Sequence, residues 1–246
     1  MKYSHKDVPK KLLIKYCNTE EVFETLDICK NEIHIWVADM NRLRGKVKYF
    51  FNLLSFNEKE KAQKFNLIRD RERYIIAHGF LRILLSKYLK ISACDLVLTK
   101  GRHGKIELDK NQNSKKISFN HSHSENRVVL SFTKFEEIGV DVEKIREIPN
   151  CVELAQNFFC RNESLKVEQS KDDKKLDVFF KLWTIKEAFV KATGEGLSQS
   201  LDSFCVSSKN SFKIFELNNW LEKSEWEYLL PNIDKNYACA VVIKNR

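Results

Sequence analysis

Two carboxylates lie two positions apart in a short apolar segment just past the middle of the chain. The segment Ile138-Gly-Val-Asp-Val-Glu143 alternates, so on a strand Asp141 and Glu143 would share one face, about 7 Å apart. Carboxylates at this spacing suit a hard cation such as Mg²⁺, which prefers oxygen ligands. The same pattern is typical of a half-exposed strand without a ligand, and both interpretations stay open on this segment alone.

A second group of chemically active residues follows helical spacing in the segment 182–191. Trp183, Glu187 and Lys191 recur every four residues and would form one stripe on a helix. Trp183 would anchor the stripe against the core, Glu187 could supply a third carboxylate, and Lys191 could meet a phosphate. The alternative is an ordinary Glu–Lys surface pair, which contributes roughly 0.2–0.5 kcal/mol.

A third segment, 119–124, combines histidine, serine and asparagine. Alternation would put His121 and His123 on one face of a strand and Asn120, Ser122 and Ser124 on the other. A His-x-His pair with one carboxylate could hold iron, as in non-haem oxygenases. Serine and histidine can equally donate hydrogen bonds to a phosphate, so this segment also permits two interpretations.

A mixture of helices and strands must position these residues. The capping-box pattern Ser55-x-x-Glu58 predicts the start of a long helix that runs to about residue 89, and Gly194 and Gly196 suit the end of the helix that carries Glu187. Helical patterning also covers 152–159 and 176–193. Alternation or short apolar runs predict strands at 32–38, 96–98, 116–122, 127–132, 138–143, 204–206, 212–215, 226–230 and 237–243.

Each half of the chain therefore combines strands with one major helix. No internal sequence repeat is detectable, and the halves meet near residues 133–138. We predict an α+β fold of two similar-sized lobes, residues 1–134 and 135–246, the second of which carries the carboxylates.

Composition limits the possible classes of protein. The 246 residues are 43% hydrophobic and 31% charged, which supports a packed core. The net charge of +9 favours an anionic partner: nucleic acid, anionic lipid, a phosphorylated small molecule or an acidic protein. No apolar run approaches the ~18 residues of a membrane span and no secretory signal is present, so we expect a soluble cytoplasmic protein.

The seven cysteines are odd in number and include no C-x-x-C pair, which favours reduced, packed thiols.

The motifs of several common enzyme classes are missing from the sequence. It contains no G-x-G-x-x-G, no Walker A loop, no H-E-x-x-H, no zinc ribbon and no G-x-S-x-G elbow. Dinucleotide-dependent oxidoreductases, P-loop nucleotidases, zinc proteases and serine hydrolases with these signatures are therefore disfavoured.

In this order, the three segments resemble the signature motifs of the larger, two-lobed 4′-phosphopantetheinyl transferases of the Sfp type. The family motifs F-N-x-S-H-S, G-[IV]-D-[ILV]-E and W-x-x-K-E-[AS] are matched by residues 119–124, 139–143 and 183–188, and the lysine that follows is Lys191. Residues 194–197 match the usual continuation, and residues 64–82 resemble the family's first-lobe helix. The resemblance spans roughly residues 32–243.

The resemblance implies a fold and an activity. The family has two α+β lobes related by a pseudo-twofold axis within one chain, with coenzyme A in the cleft between them. Its members transfer the phosphopantetheine arm of coenzyme A to a serine of an acyl or peptidyl carrier protein, and 3′,5′-ADP leaves. A monomer that uses Mg²⁺, with no nucleic-acid or membrane partner, is what the family pattern implies here.

The resemblance also implies roles for individual residues. Asp141, Glu143 and Glu187 match the Mg²⁺ ligands. The general base would be Glu187 or a water beside Glu143, and Lys191 would contact the pyrophosphate and stabilise the leaving group. Coenzyme A would be bound by Lys61, Arg73, Lys105, Ser122, His123 and Lys191, with Arg73 as the candidate clamp for the 3′-phosphate.

Two positions depart from the family pattern. Glu58 stands where a second lysine is common before the first-lobe helix, and Ile106 replaces the proline of a Gly-Lys-Pro turn. His121 occupies a variable position, and no role is assigned to it.

The segment 144–165 corresponds to the region in which the family docks its carrier protein. Some of its apolar residues are predicted to form that patch, and the alternative is that most belong to the core. The patch would be ringed by Lys144, Arg146 and Arg161.

Three competing hypotheses for the function of the chain are a basic nucleic-acid-binding protein, an inactive relative that binds coenzyme A, and an iron oxygenase that uses His121 and His123.

Overall fold

Helices and strands are mixed along the chain. The computed structural model describes residues 11–16, 25–135, 137–206, 214–216 and 225–244. Its strands are β1 (Lys11–Tyr16), β2 (Glu32–Asp39), β3 (Leu98–Lys100), β4 (Ile106–Leu108), β5 (Ser118–Ser124), β6 (Arg127–Thr133), β7 (Ile138–Lys144), β8 (Phe204–Val206), β9 (Ile214–Glu216), β10 (Trp226–Leu229) and β11 (Tyr237–Lys244). Its helices are α1 (Met40–Leu43), α2 (Val47–Leu53), α3 (Phe56–Gln63), α4 (Ile68–Leu89), α5 (Cys151–Phe158), α6 (Arg161–Glu168) and α7 (Asp172–Thr193), with 3₁₀ turns at Arg44–Lys46, Arg102–Gly104, Gly196–Ser198 and Leu201–Ser203. The start of the predicted strand 212–215 lies outside the described residues.

The first lobe is built on a sheet of strand order β1-β2-β6-β5. Strand β1 runs parallel to β2, and the other neighbours are antiparallel. The 22-residue helix α4 packs against this sheet, because its buried Phe80 and Tyr88 belong to the same core as Trp36 and Phe132. The indole Nε1 of Trp36 donates a hydrogen bond of 2.9 Å to the Tyr88 hydroxyl. The sheet ends at β5, which carries the histidine-serine motif.

The second lobe is built on an antiparallel sheet of order β10-β11-β7, and helix α7 packs against it. A Cβ atom at Gly139 would lie 1.9 Å from the carbonyl oxygen of Ala188, so only glycine lets the backbones of β7 and α7 approach this closely. Helix α7 ends at Gly194 in the left-handed conformation, with φ of 74°, as the sequence predicted.

Side chains bridge the two sheets where β5 lies beside β7. The Oδ1 atom of Asn120 accepts a hydrogen bond of 3.1 Å from the backbone N–H of Val140. Behind this junction an apolar layer joins the sheets; its members include Ile33, Ile35, Val129, Val140 and Val241. The α+β prediction is confirmed, and the division at residues 134 and 135 stays a prediction.

The long helix predicted from residue 58 to 89 is two helices. The capping box is present, because Ser55 Oγ accepts from the Glu58 N–H at 3.4 Å and Glu58 Oε2 accepts from the Ser55 N–H at 2.9 Å. The chain then turns between α3 and α4. This turn allows the Phe65 ring to pack against Tyr74, with ring centroids 5.4 Å apart.

Cys160 and Cys205 form a disulfide bond, so the prediction of reduced thiols is wrong for this pair. Cys160 precedes α6 and Cys205 lies on β8, and the packing of α6 against β8 brings their Cα atoms within 6.0 Å although they are 45 residues apart. Cys17 lies outside the described residues.

Within the described part of the chain, no helix is long and apolar enough to cross a bilayer.

Candidate active site

A cavity of about 950 Å³ opens beside β5, β7 and the C-terminal half of α7. Strand alternation turns Asp141 and Glu143 of β7 towards it, and the four-residue repeat of α7 does the same for Glu187 and Lys191, whereas consecutive residues from both faces of β5 line its edge. Seven of the predicted site residues line the cavity: Lys105, Ser122, His123, Asp141, Glu143, Glu187 and Lys191. Lys61 and Arg73 do not line it.

Asp141 is the most buried carboxylate of the cavity, with 3% of its surface exposed. Its Oδ1 accepts hydrogen bonds from Ser122 Oγ at 2.8 Å and from Lys191 Nζ at 2.7 Å. Its Oδ2 is buried and has no hydrogen-bond partner among the described residues. A buried carboxylate oxygen without a partner is costly, and a bound cation would satisfy it.

Glu143 and Glu187 are partly buried beside Asp141. Burial raises the pKa of both carboxyl groups above the ordinary value, and the negative charge of Asp141 raises each pKa further. The Ser124 hydroxyl opposes this for Glu143, because it donates a 2.7 Å hydrogen bond to Oε2. Three carboxylates thus gather around the Lys191 ammonium, with Arg146 Nη1 3.7 Å from Glu143 Oε2. This oxygen-rich set fits a hard divalent cation.

The three carboxylates are not drawn into one tight cluster. In the described ranges, the group of three potential ligand atoms that lies within 4.8 Å consists of Cys160, Glu163 and Cys205. That group is already satisfied, since the cysteines are joined and Glu163 pairs with Lys186 at 2.8 Å. Simultaneous ligation by Asp141, Glu143 and Glu187 therefore requires side-chain adjustment.

Comparison with known proteins connects this geometry to a family. A model of the 4′-phosphopantetheinyl transferase superfamily matches residues 137–242, and a model for the N-terminal part of 4′-phosphopantetheinyl transferases matches residues 41–134. A putative 4′-phosphopantetheinyl transferase of Synechocystis sp. is 36% identical over 193 residues, which cover 78% of this chain and 76% of that protein. The chain belongs to the 4′-phosphopantetheinyl transferase superfamily.

Two further relatives carry the same description. The 4′-phosphopantetheinyl transferase HetI of Nostoc sp. is 29% identical over 71% of this chain and 73% of its own length. The 4′-phosphopantetheinyl transferase Sfp of Bacillus subtilis is 31% identical over 64% of this chain and 67% of its own length. The resemblance inferred from the three motifs is thereby confirmed.

In this phosphopantetheinyl transferase, Arg73 and Lys61 approach the histidines from the first-lobe helices. Arg73 bonds Asp70 at 3.1 Å, and its Nε is buried without a hydrogen-bond partner in the described ranges. Lys61 Nζ lies 5.1 Å from the centre of the Tyr74 ring. The positive charge of Arg73 helps to lower the pKa of His123, which indicates that Arg73 lies near this cavity-lining histidine.

The two histidines of β5 are neutral at physiological pH. Burial, followed by the charges of Arg73 and Lys191, lowers the pKa of His123 to about 4. Burial also holds the pKa of His121 well below its ordinary value, and its ring packs edge-on against His78, with centroids 5.7 Å apart. The His123 imidazole therefore offers hydrogen bonds to a ligand without a charge.

Sequence reasoning gave no site role to Ser124 or to the partners of Glu58. Ser124 donates the hydrogen bond that orients Glu143. The sequence signal for this role was its position two residues after Ser122, which places both hydroxyls on one face of β5. Glu58, which stands at a common lysine position, binds His78 Nδ1 at 3.0 Å and Arg82 Nε at 2.8 Å. Its carboxylate is therefore part of the first-lobe core.

Proposed function

We propose that this chain transfers the 4′-phosphopantetheine group of coenzyme A to a serine hydroxyl of an acyl or peptidyl carrier protein, with Mg²⁺ at Asp141, Glu143 and Glu187. The serine Oγ forms a bond to the β-phosphorus, the pyrophosphate P–O bond breaks, and 3′,5′-ADP leaves. Family membership supports the reaction. The buried, unpartnered Oδ2 of Asp141 beside two further carboxylates carries the proposal for the metal.

When bound, the Mg²⁺ would neutralise negative charge on the pyrophosphate. The chain's own residues supply the remaining chemistry. Glu187 or a water beside Glu143 is the candidate general base for the serine hydroxyl. Lys191, now bonded to Asp141 Oδ1 and to Ser122 Oγ at 3.0 Å, would turn its ammonium to the leaving phosphate.

Coenzyme A would bind along the cavity towards the first lobe. Ser122 and His123 would donate hydrogen bonds to phosphate oxygens. Arg73, whose guanidinium can donate to two oxygens at once, would hold the 3′-phosphate with Lys61. The hairpin backbone around Lys105 would border the nucleotide, because Gly104, Lys105 and Ile106 line the same cavity.

The carrier protein would dock beside Phe158. This side chain is 43% exposed, lines the cavity and packs edge-on against Trp183, with ring centroids 5.9 Å apart. Phe159 is buried, and most other apolar residues of the segment 144–165 pack against the second-lobe core. We expect a monomer, since one chain supplies every residue of the proposed site, and a cytoplasmic location stays a prediction from the sequence.

Intact-mass measurement tests the reaction. Incubation with coenzyme A, Mg²⁺ and an apo carrier protein should add one phosphopantetheine to the carrier, and chelation by EDTA should prevent the gain. Asp141→Ala should abolish the gain while circular dichroism stays unchanged; full activity in that variant would reject the metal assignment. Coenzyme A binding without any mass gain would instead identify an inactive relative.

A further inference from the structure

Lys105 belongs to the first lobe, but its ammonium is bonded to the second. It lies in the β3–β4 hairpin, directly after the turn at Arg102–Gly104. Its Nζ donates a 2.9 Å hydrogen bond to the carbonyl oxygen of Ala192 and a longer one, 3.4 Å, to that of Ile138. These acceptors are 87 and 33 residues away along the chain. The ammonium is therefore held by backbone carbonyls at the edge of the cavity.

The two acceptors lie on the elements that carry the chemistry. Ala192 is in the last turn of α7, which holds Glu187 and Lys191, and Ile138 begins β7, which holds Asp141 and Glu143. The last turn of a helix carries carbonyls without intrahelical partners and partial negative charge, so an ammonium is a favourable partner there. One side chain thus contacts both elements that carry the candidate reacting groups.

Helix α7 and strand β7 pack backbone against backbone at this point. Their backbones touch at Gly139, where an added Cβ would also lie 2.5 Å from the Ala192 nitrogen. The hairpin meets the segment after α7 a second time, since a Cβ at Gly196 would lie 2.8 Å from the Cβ of His103. The hairpin therefore contacts this packed pair of elements, the α7–β7 unit, and the segment that follows it.

We propose that Lys105 is a positioning residue whose ammonium fixes the α7–β7 unit against the first lobe and does not bind the nucleotide. The proposal rests on the proposed function, because the groups it positions are the base, the leaving-group lysine and the metal ligands. The first lobe would hold coenzyme A and the second lobe would hold the reacting groups. Lys105 sets the distance between them.

The test compares Lys105→Met with Lys105→Arg and with the control Lys110→Met, a lysine of the following segment that borders the neighbouring cavity. Misplacement of reacting groups by about 1 Å can cost about 100-fold in rate, so Lys105→Met should lower kcat about 10- to 100-fold. The dissociation constant of coenzyme A, measured by calorimetry without a carrier, should stay within about threefold. Lys105→Arg, which keeps a charged donor, should recover most of kcat, and Lys110→Met should match the wild type.

Amide hydrogen exchange of the ligand-free full chain supplies a readout independent of catalysis. Exchange in the last turn of α7, including the Gly194 amide that bonds Val190, should accelerate in Lys105→Met and not in Lys110→Met. Unchanged exchange there would overturn the proposal. So would a tenfold or greater loss of coenzyme A affinity with kcat unchanged, the result expected of a nucleotide ligand. If Lys105→Met does not fold, Lys105→Gln is measured under the same criteria. If the wild-type protein transfers nothing, the proposed function fails, and the exchange comparison still tests whether Lys105 fixes the end of α7.

Discussion

Replacing Lys186 by methionine should destabilise the second lobe strongly. Lys186 is 0% exposed, and its ion-pair partner Glu163 is 1% exposed. The ammonium donates to Glu163 Oε2 at 2.8 Å and to the carbonyl oxygens of Leu201 and Phe204, both at 2.7 Å. It therefore ties α7 to α6 and to the turn that borders the candidate active site.

The expected loss follows from what the substitution leaves behind. Methionine fills much of the lysine volume, but the Glu163 carboxylate stays buried without its counter-charge, and removing one partner of a buried pair typically costs about 3–5 kcal/mol. For a chain of this size, each kcal/mol lowers the melting temperature by roughly 2–4 °C, so the expected fall is roughly 6–20 °C. Adding Glu163→Gln to Lys186→Met removes the stranded charge and should recover part of the loss.

Urea unfolding and scanning calorimetry at pH 7.5 would measure the effect. Lys181→Met is the matched control, because Lys181 lies on the same helix with an exposed side chain, and its effect should stay within about 0.5 kcal/mol. A loss below about 1 kcal/mol in Lys186→Met would refute the reasoning, since the buried pair would then contribute little more than a surface pair.

Three further predictions concern the site and the elements behind it. Ser124→Ala should weaken Mn²⁺ binding, measured by calorimetry, about tenfold or more because Glu143 loses its orienting hydroxyl, whereas an unchanged affinity would contradict that role. Gly139→Ala should cost about 3 kcal/mol or more in urea unfolding. Gly45→Ala, where an added Cβ meets nothing within 4 Å, should cost almost nothing, and equal losses would argue against close contact at Gly139. Because the folded state raises the pKa of Glu187, stability of the metal-free protein is lost as pH rises above the ordinary carboxyl pKa of 4.5. Glu187→Gln should therefore be more stable than wild type at pH 7.5 in EDTA and equal to it below pH 4.5; a pH-independent difference would exclude the raised pKa.

Local pattern was sufficient to predict which side chains share a face. The alternation of β5 separated the two serines, which bond the carboxylates of β7, from His121, which packs against His78. The four-residue repeat of α7 brought Glu187 and Lys191 into one cavity. The capping box at Ser55 and the glycine stop of α7 were also readable, because both depend on neighbouring residues.

Long-range partners could not be predicted in the same way. The Cys160–Cys205 bond and the bond from Lys105 to Ala192 join residues 45 and 87 positions apart, and nothing in their spacing distinguishes them from other pairs. The charge of His123 was likewise inaccessible, since it depends on burial and on Arg73 and Lys191, which are supplied by two other helices. Interactions set by tertiary packing therefore had to come from the structure.

The polar bridge between β5 and β7 has a consequence for how this chain tolerates change. Ser122 and Ser124 belong to one sheet, whereas the carboxylates that they orient, Asp141 and Glu143, belong to the other. The spacing of the sheets is set by the apolar layer around Val129 and Val241, none of whose members lines the cavity. A change of volume in that layer would separate the hydroxyls from the carboxylates, so these remote residues should evolve under the same constraint as the groups that react.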